Sequence, residues 1–576
     1  MTTLILGPIL RHVTETTATI WVETSGPCDV SVLGSSTQTF TVQGHHYALV
    51  VVEGLTPDTT TGYNVAVNGG VVWPRPDDPF APPTIRTLGG TTQRMIFGSC
   101  RAAAPHEPPY SLELDNDPRG RGVDSLRAHG LRMLHSPQEE WPTLMVLVGD
   151  QVYADDPSPK VQRRLWHRRS KRCQQDQVDH DHNHDDRPDE GPDDGPHGKP
   201  DDIVGGFEQY TWLYRESWTS DVERWMMSVV PSAMIFDDHD VIDDWNISER
   251  WVTDIRSEPW WDNHIIGAMM SYWIYQHLGN QSPAQIADEG ILAKLHAVGD
   301  GSEVLRRWAQ ESERFTPVPG GYHFSYHRDL GDVRLIVIDN RNGRVLDPKA
   351  RQLVDDDEWD WVSRRAHEPC RHLLIASSLP MLVPGGLHDL QYWNEALCAG
   401  RWGKLVSRVA ERVRRAIDLE DWGAFDLSFR KLCDLLASVG TPSEGREAPD
   451  TITLLSGDIH FAYTASAAFP NRPEVTSRIS QVVSSPIRNA LSTRERRVIR
   501  FSLSRVGRSL GRGLRRSIRA EITPLVWELD NGPYFANNIG LLAFTDDGQA
   551  PHLVIEHAHP DEDGRPVLDI VMQRSI

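Results

Sequence analysis

The stretch TLMVLVGDQVYADD, residues 143–156, decides the fold that we expect for this chain. Most of its first half is a continuous apolar run, which is typical of a strand in a sheet covered on both faces. At Gly149 the run changes to polar residues that begin with Asp150. Because ligand sites in α/β folds lie where strands end, we expect the Asp150 carboxylate at a sheet edge, with its oxygens free to bind cations.

Five other short apolar runs also end in polar or charged residues. They are RMIFGSC (94–100), SAMIFDDHD (232–240), VRLIVIDNR (333–341), HLLIASS (372–378) and TITLLSGDIH (451–460). Each run is predicted to form a buried strand, so residues 89–576 are expected to form an α/β catalytic domain. The six strand ends together define a candidate site.

Residues 1–88 have a different pattern, in which apolar and polar residues alternate, as in TATIWVET (17–24). This alternation predicts a small all-β sandwich. The stretch GLTPDTTTGYNVAV (54–67) resembles the strand entry of fibronectin type III or immunoglobulin-like domains. WPRPDDPFAPPT (73–84) carries five prolines and predicts a linker between the two parts.

The composition excludes several classes of protein. A chain of 576 residues with a formal charge of -22 is not expected to bind nucleic acid broadly. The six cysteines form no CxxC pair, which argues against a zinc ribbon and a disulfide framework. No signal-peptide pattern opens the sequence, so we expect a cytoplasmic protein, or a secreted one if a leader is missing. The sequence does not set the oligomeric state.

Two segments have a biased composition. Residues 176–202 are acidic and rich in histidine, which predicts a disordered insertion; its histidines could collect metal ions, but a plain solvated loop is the alternative. Residues 488–519 hold eleven arginines and one glutamate, with apolar residues at helical spacing. This basic amphipathic segment could contact an anionic membrane surface, or it could lie on the acidic body of the same chain.

The stretch FDDHDVIDDW, residues 236–245, concentrates charge directly after an apolar run. Its charged residues are Asp237, Asp238, His239, Asp240, Asp243 and Asp244. Adjacent carboxylates near a buried strand repel one another, so this density predicts bound cations, with a solvated turn as the alternative. His239 lies among the carboxylates, where a general acid is needed, and is the predicted catalytic histidine.

Other candidate ligands follow neighbouring runs. Tyr153 comes three residues after Asp150 and could turn a phenolate toward the same site. Asp458 and His460 are two residues apart, so on an extended segment both point to the same side. Cys100 would supply a soft thiolate, although a lone cysteine is usually only buried.

Arg341 ends the stretch IDNR and is the second candidate for a catalytic role. It could hold a phosphate oxygen in a bidentate contact, or it could be the structural partner of a carboxylate. The sequence has no GxxxxGK[ST], HExxH or GxSxG motif, so the metal-site interpretation has no strong rival.

The order of these motifs resembles the PhoD-like alkaline phosphatase D family, a branch of the calcineurin-like metallophosphoesterases. The stretches that carry the resemblance are GPILRHVTETTATIWVET (7–24), FGSCR (97–101), GDQVYAD (149–155), FDDHDV (236–241), IDNR (338–341), SSLPM (377–381) and LSGDIH (455–460). The resemblance implies a four-layer α/β/β/α metallophosphoesterase core with an N-terminal immunoglobulin- or fibronectin-like β-sandwich. It also implies two or more metal ions, which are iron and calcium in the best-known members.

The resemblance also assigns roles by position. The residues that match metal ligands are Cys100, Asp150, Tyr153, Asp238, Asp458 and, as the last histidine of the superfamily's GHxH element, His460. His239 matches the histidine that assists phosphoryl transfer. Asp240 and Asp243 stand where the family more often has Glu and Asn, which could change the identity of the second metal.

The function expected from these residues is metal-dependent hydrolysis of phosphate monoesters, in which a hydroxide held by the metals at Asp150 attacks phosphorus. A phosphodiesterase or phospholipase-D-like activity is the nearest alternative, and the basic segment favours it mildly. A non-catalytic binding protein that keeps the same fold is the third hypothesis.

Overall fold

The structure is a computed structural model that describes residues 2–89, 93–168, 203–313, 322–519, 523–545 and 550–576. The histidine-rich insertion predicted at residues 176–202 lies outside these ranges.

The N-terminal part of the chain forms two four-stranded antiparallel sheets and one strand pair, with orders β1-β2-β6-β5, β4-β3-β8-β9 and β10-β7. The strands are β1 (Leu4–Val13), β2 (Thr17–Thr24), β3 (Asp29–Val32), β4 (Ser35–Gln38), β5 (Phe40–Val42), β6 (His45–Glu53), β7 (Thr60–Gly62), β8 (Val65–Val67), β9 (Gly70–Trp73) and β10 (Thr84–Arg86). Ile20 and Val22 of β2 share a core with Val30 and Val65 of the other sheet. The N-terminal residues therefore form strands as predicted, while the immunoglobulin-like classification stays a prediction.

The other face of β2 is buried as well. Trp21 packs against Tyr275, with ring centroids 5.3 Å apart. Arg11 of β1 is 1% exposed, and its guanidinium donates to the carbonyl of Gln276 and, at 3.1 Å, to the hydroxyl of Ser232. Strands β1 and β2 therefore pack directly against residues of the remaining chain.

Two larger mixed sheets form the centre of the molecule. Their orders are β13-β12-β11-β21-β22-β23 and β14-β15-β16-β17-β19-β18-β20. The strands are β11 (Gln93–Gly98), β12 (Leu144–Val148), β13 (Ser232–Ile235), β14 (Tyr326–Leu330), β15 (Val333–Ile338), β16 (His372–Ser377), β17 (Thr451–Ser456), β18 (Ala462–Ala468), β19 (Arg478–Val483), β20 (Val526–Tyr534), β21 (Asn538–Phe544), β22 (His552–Pro560) and β23 (Pro566–Ser575). All six predicted apolar runs are strands, and the α/β class is confirmed; the four-layer arrangement stays a prediction.

Parallel pairing explains why the polar strand ends meet. In one sheet β11, β12 and β13 pair in parallel, and in the other β15, β16 and β17 do so. The carboxyl ends of parallel strands lie at one edge of a sheet. These edges of the two sheets also contact each other. The backbone of Gly457, which follows β17, packs against Ser99, which follows β11.

The helices lie between these strands along the chain. They are Ser125–Met133, Phe207–Trp218, Asp221–Val229, Glu249–Ile255, Trp261–Tyr272, Pro283–Glu289, Ile291–His296, Ser302–Ser312, Asp356–Ala366, Gly385–Cys398, Lys404–Ala416, Asp426–Val439, Thr493–Leu503 and Arg505–Ser517, with 3₁₀ turns at Gln138–Glu140 and Trp422–Ala424. Residues 159–168 are also helical. The segment Trp273–His277 continues one helix in the π form, which often occurs near functional sites.

Among the described residues, no helix has both the length and the apolar character that a membrane crossing requires.

Candidate metal centre

The strand ends bring the predicted site residues together. Cys100 and Asp150 come two residues after β11 and β12, and Asp238 and Asp458 follow β13 and β17. Their possible ligand atoms, with those of neighbouring residues, lie within 4.8 Å of one another in three overlapping groups. The groups are Cys100, Asp150 and His460; Asp150, Asp238 and His239; and Asp150, Asp237, Asp238 and Asp458. Asp150 belongs to all three and is the geometric centre of the site.

Four residues of this site have a left-handed backbone conformation. Their φ angles are 59° at Cys100, 52° at Asp150, 64° at Asp458 and 54° at His460. Residues other than glycine rarely adopt such angles, which cost about 1–3 kcal/mol each and cluster at functional sites. The backbone is therefore bent sharply at each strand end.

Glycines precede two of these turns because no side chain fits there. At Gly149, which has a φ of 108°, a Cβ atom would lie 2.6 Å from Cβ of Asp237. At Gly457 it would lie 2.1 Å from the hydroxyl oxygen of Ser99. The GD pairs in both motifs thus let neighbouring loops approach closely enough for their carboxylates to meet.

Asp240 fixes the loops and does not point into the site. Its carboxylate accepts hydrogen bonds from the backbone N–H groups of Asp150 at 2.9 Å, Val152 at 3.2 Å and Asp237 at 2.9 Å. The side-chain amide of Gln276, in the π-helical segment, adds a fourth at 3.2 Å. Asp240 therefore positions the loops of the site, and its influence on the identity of the second metal stays a prediction.

The carboxylates fit cations. Oδ1 of Asp150 and Oδ2 of Asp237 are buried and have no hydrogen-bond partner among the described residues. Burial, and after it the charges of Asp237 and Asp238, raise the pKa of Asp150 well above its usual range, although His239 opposes this. Burial and the same two charges raise the pKa of Asp458. Unpaired buried carboxylates are costly unless a cation neutralises them.

The Cys100 thiol lies next to the Asp150 carboxylate and the His460 ring. Its sulfur lies 3.0 Å from the Ser99 hydroxyl and accepts the Ser485 hydroxyl at 3.3 Å. Burial, followed by the charges of Asp150 and Asp458, raises the pKa of the thiol well above its usual value. Since a thiolate is the form that binds metals, a cation bound here would replace the thiol proton.

Tyr153 and His460 lie on the same side. The Tyr153 hydroxyl is 3.5 Å from Oδ2 of Asp150, and the Asn489 side chain donates to it at 3.2 Å. Burial and the nearby His239 lower the pKa of His460 to about 4, so its ring is neutral at neutral pH. A neutral imidazole has the lone pair that a metal ligand needs.

His239 is held by a carboxylate that the sequence did not single out. Its Nδ1 atom lies 3.0 Å from both carboxylate oxygens of Asp155. Its ring also packs on Tyr153, with centroids 4.7 Å apart. Because a carboxylate accepts the Nδ1 hydrogen, the Nε2 atom is the one left for the open side of the site.

Arg341 lies beneath the carboxylates with no exposed surface. Its guanidinium binds Asp237 and Glu420, the latter at 2.6 Å, and lies 3.2 Å from Oδ1 of Asp238. These ion pairs favour a structural role for Arg341. Its predicted contact with phosphate stays a prediction.

The remaining acidic residues of the 236–245 stretch contribute no atom to the three groups, although Oδ1 of Asp243 lies 3.8 Å from Nε2 of His239. Asp243 is largely exposed, and its N–H donates to Asp155 at 2.7 Å. The N–H of Asp244 donates to Asp238 at 3.1 Å. Of the six charged residues in the stretch, only Asp237, Asp238 and His239 therefore contribute to the three groups.

A second buried group of possible ligands has a different explanation. His106, Asp124 and Glu223 lie within the same distance limit. However, Arg101 binds Asp124 at 2.8 Å and Glu223 at 2.9 Å, so a guanidinium already neutralises this pair.

The chain resembles known proteins in a family model at its N-terminus and in solved structures over nearly its whole length. Residues 1–85 match a domain of unknown function, DUF7800. No curated protein matches the chain. A solved structure described as the structure of PhoD is similar over 99% of this chain and 92% of that chain, with a TM-score of 0.54 and 10% sequence identity.

The purple acid phosphatase PPD1 isolated from yellow lupin (Lupinus luteus) seeds is also similar, over 99% of this chain and 74% of that chain, with a TM-score of 0.45 and 12% identity. That score is too low to carry an argument. The likeness to PhoD shows that the chain has a PhoD-like fold, so the resemblance drawn from the motifs is confirmed at the level of the fold. Function has to be argued from the site.

Proposed function

We propose that this protein is a metal-dependent phosphoester hydrolase that acts on phosphate monoesters. The observation that carries the proposal is that two groups of possible ligands, one with a thiol and an imidazole and one of carboxylates alone, share Asp150, whose buried Oδ1 atom has no hydrogen-bond partner among the described residues. The PhoD-like fold supports it, because the sequence motifs that resemble the PhoD-like family lie at the strand ends that form these groups.

Two different sets of ligands share Asp150. Cys100, Tyr153 and His460 would offer sulfur, phenol oxygen and nitrogen on one side, which suits a transition metal such as iron. Asp237, Asp238 and Asp458 would offer only carboxylate oxygens on the other, which suits calcium. When bound, the cations would supply positive charge to the transferring phosphoryl group and to the attacking water.

The protein's own groups would position the reaction. His239 would donate a proton from Nε2 to the leaving oxygen, because Asp155 holds the other ring nitrogen. Asp240 would hold the loops that carry Asp150 and Asp237 next to each other, because it accepts hydrogen bonds from the backbone N–H groups of both residues. Arg341 would hold the carboxylates of Asp237 and Asp238 in place through its ion pairs with them.

Elemental analysis together with hydrolysis assays tests this function. We expect the purified protein to hold metal and to hydrolyse p-nitrophenyl phosphate. Asp150→Asn should lose both metal and activity, whereas His239→Ala should keep its metal and lose rate by roughly 10²–10⁴-fold. A His239→Ala protein with normal turnover would contradict the acid role. Stoichiometric metal without hydrolysis of any simple phosphoester would instead favour the non-catalytic binding protein.

A phosphodiesterase or phospholipase-D-like activity is the second candidate. It is favoured by one observation: Ile499 of the basic segment packs against the apolar cluster that contains Phe461, the residue after His460. Faster hydrolysis of bis-(p-nitrophenyl) phosphate than of the monoester would replace the first candidate by this one.

A further inference from the structure

The basic segment forms two consecutive surface helices, Thr493–Leu503 and Arg505–Ser517. The first helix has no buried residue. In the second, only Gly507 and Gly511 are buried. We call these two helices the basic surface.

The second helix is attached to the protein by its glycines. Gly511 packs so tightly on the helix Gly385–Cys398 that a Cβ atom would lie 2.9 Å from the carbonyl oxygen of Gly386. A Cβ on Gly386 would lie 3.3 Å from the carbonyl carbon of Gly507. Since backbone makes this contact, the helix does not need its apolar side chains for internal packing.

Four large apolar side chains of the basic surface are consequently exposed. The exposed fractions are 64% at Val498, 55% at Phe501, 59% at Val506 and 57% at Leu510. The sequence left open whether this segment lies with its apolar face on the chain's own body. In the structure these four side chains face solvent. Several large apolar side chains exposed on neighbouring turns are uncommon on a protein surface and typical of an interaction site.

Several arginines alternate with these side chains and have no acidic partner. Arg496 and Arg515 pair with Glu113 at 3.7 Å and Asp389 at 3.3 Å. No ion pair involves Arg494, Arg497, Arg505, Arg508 or Arg516 within the part of the chain that the structure describes. The surface therefore offers unpaired positive charge on a protein whose net charge is -22.

We propose that the basic surface docks on an anionic lipid bilayer. Guanidinium groups would bind the headgroups, and Val498, Phe501, Val506 and Leu510 would enter the boundary with the acyl chains, as in interfacial amphipathic helices. A nucleic acid would use the arginines but would gain little from aliphatic side chains. Because Ile499 packs against the apolar cluster that contains Phe461, the residue after His460, we expect a docked bilayer to lie on the same side of the molecule as His460.

Cosedimentation of the full chain with lipid vesicles tests the proposal. We expect binding to vesicles of equal parts phosphatidylcholine and phosphatidylglycerol and little binding to phosphatidylcholine alone. Arg494→Gln combined with Arg497→Gln should lower the partition coefficient by about fivefold per arginine. Val498→Ser combined with Phe501→Ser should lower it by about tenfold or more.

The matched control is Val71→Ser combined with Ile570→Ser, since these side chains are 62% and 56% exposed on distant strands. It should bind vesicles like the wild-type chain. Absence of binding to the anionic vesicles, or equal binding by all variants, would overturn the proposal. Binding of duplex DNA that falls only in the arginine variant would replace it by a nucleic-acid surface. Hydrolysis of p-nitrophenyl phosphate in solution is measured separately, so failure of docking is distinguishable from failure of the proposed function.

Discussion

The Nδ1 atom of His239 lies 3.0 Å from Oδ1 of Asp155, a residue 84 positions earlier in the chain. Asp155 also accepts the backbone N–H of Asp243 at 2.7 Å. One carboxylate therefore sets both the direction of the histidine ring and the path of the loop that carries it. This pair makes the orientation of His239 testable apart from the metal ligands.

Asp155→Asn is expected to lower the rate of phosphomonoester hydrolysis by about 10–100-fold, because the amide does not fix the Nδ1 hydrogen as a carboxylate does. The metal content should remain that of the wild-type protein. Turnover of p-nitrophenyl phosphate and elemental analysis are the two measurements.

The neighbouring Asp156 provides the control for this change. Its side chain is 60% exposed and lies 3.4 Å from Arg121. Asp156→Asn should leave both measurements unchanged. Loss of metal in Asp155→Asn would mean that this carboxylate supports the ligand groups and not only the histidine.

Gly149→Ala is expected to destabilise the protein by about 1–3 kcal/mol and to abolish activity. The added Cβ would meet Asp237 at 2.6 Å in a backbone with a φ of 108°. Urea unfolding and hydrolysis of p-nitrophenyl phosphate check this. Gly299→Ala, at a position with no atom within 4 Å of the new Cβ, should unfold at least as late as the wild-type protein.

Arg341→Met is expected to lower the free energy of unfolding by about 3–5 kcal/mol, because Asp237 would lose its buried ion-pair partner, whereas Glu420 would keep Arg344 at 3.2 Å. The exposed pair of Arg307 with Glu303 at 3.1 Å is the comparison, and Arg307→Met should cost about 1 kcal/mol or less. If Arg341 held phosphate instead, the variant would keep its stability and show a raised KM.

His45 is expected to make stability depend on pH. Burial lowers its pKa, but hydrogen bonds to Glu208 and Glu23 outweigh this and raise it from 6.5 to about 9. The charged ring is bound in the folded state, so its stabilisation is complete below pH 6.5 and is lost as the pH rises through about 9. The shift corresponds to at most about 3 kcal/mol.

Urea unfolding at several pH values compares the wild-type chain with His45→Gln. The difference between their free energies of unfolding should shrink as the pH rises. His46→Gln is the control, because burial lowers the pKa of His46, so this ring gains no stabilisation from its charged form. A constant difference for His45→Gln would refute the linkage.

The sequence predicted the strands of the fold better than their assembly. The six runs were recognisable because strands buried on both sides are continuously apolar. Their division between two sheets depends on contacts such as Gly457 against Ser99, which join residues far apart in the chain. Likewise, no local pattern announces that Arg11 is buried against Ser232.

Only part of the site was predicted, because its geometry also depends on contacts between residues far apart in the chain. The structure places Cys100, Asp150, Asp238 and Asp458 together, as the motifs implied. Asp237 was not singled out as a ligand and Asp155 had no role, because the direction of a side chain after a strand depends on the turn that follows. Nothing in the sequence indicated that Asp240 accepts four hydrogen bonds, from three loop amides and from Gln276, because these donors come from distant parts of the chain as well as from its own loop.

The left-handed conformation at Cys100, Asp150, Asp458 and His460 limits how the metal preference of this protein can be redesigned. Asparagine tolerates that conformation nearly as well as aspartate, whereas longer or β-branched side chains tolerate it poorly. Exchange of Asp150 or Asp458 for an amide should therefore leave the loops intact. Exchange for glutamate or threonine should move the backbone itself, so a new metal preference is best sought at Asp237 and Asp238.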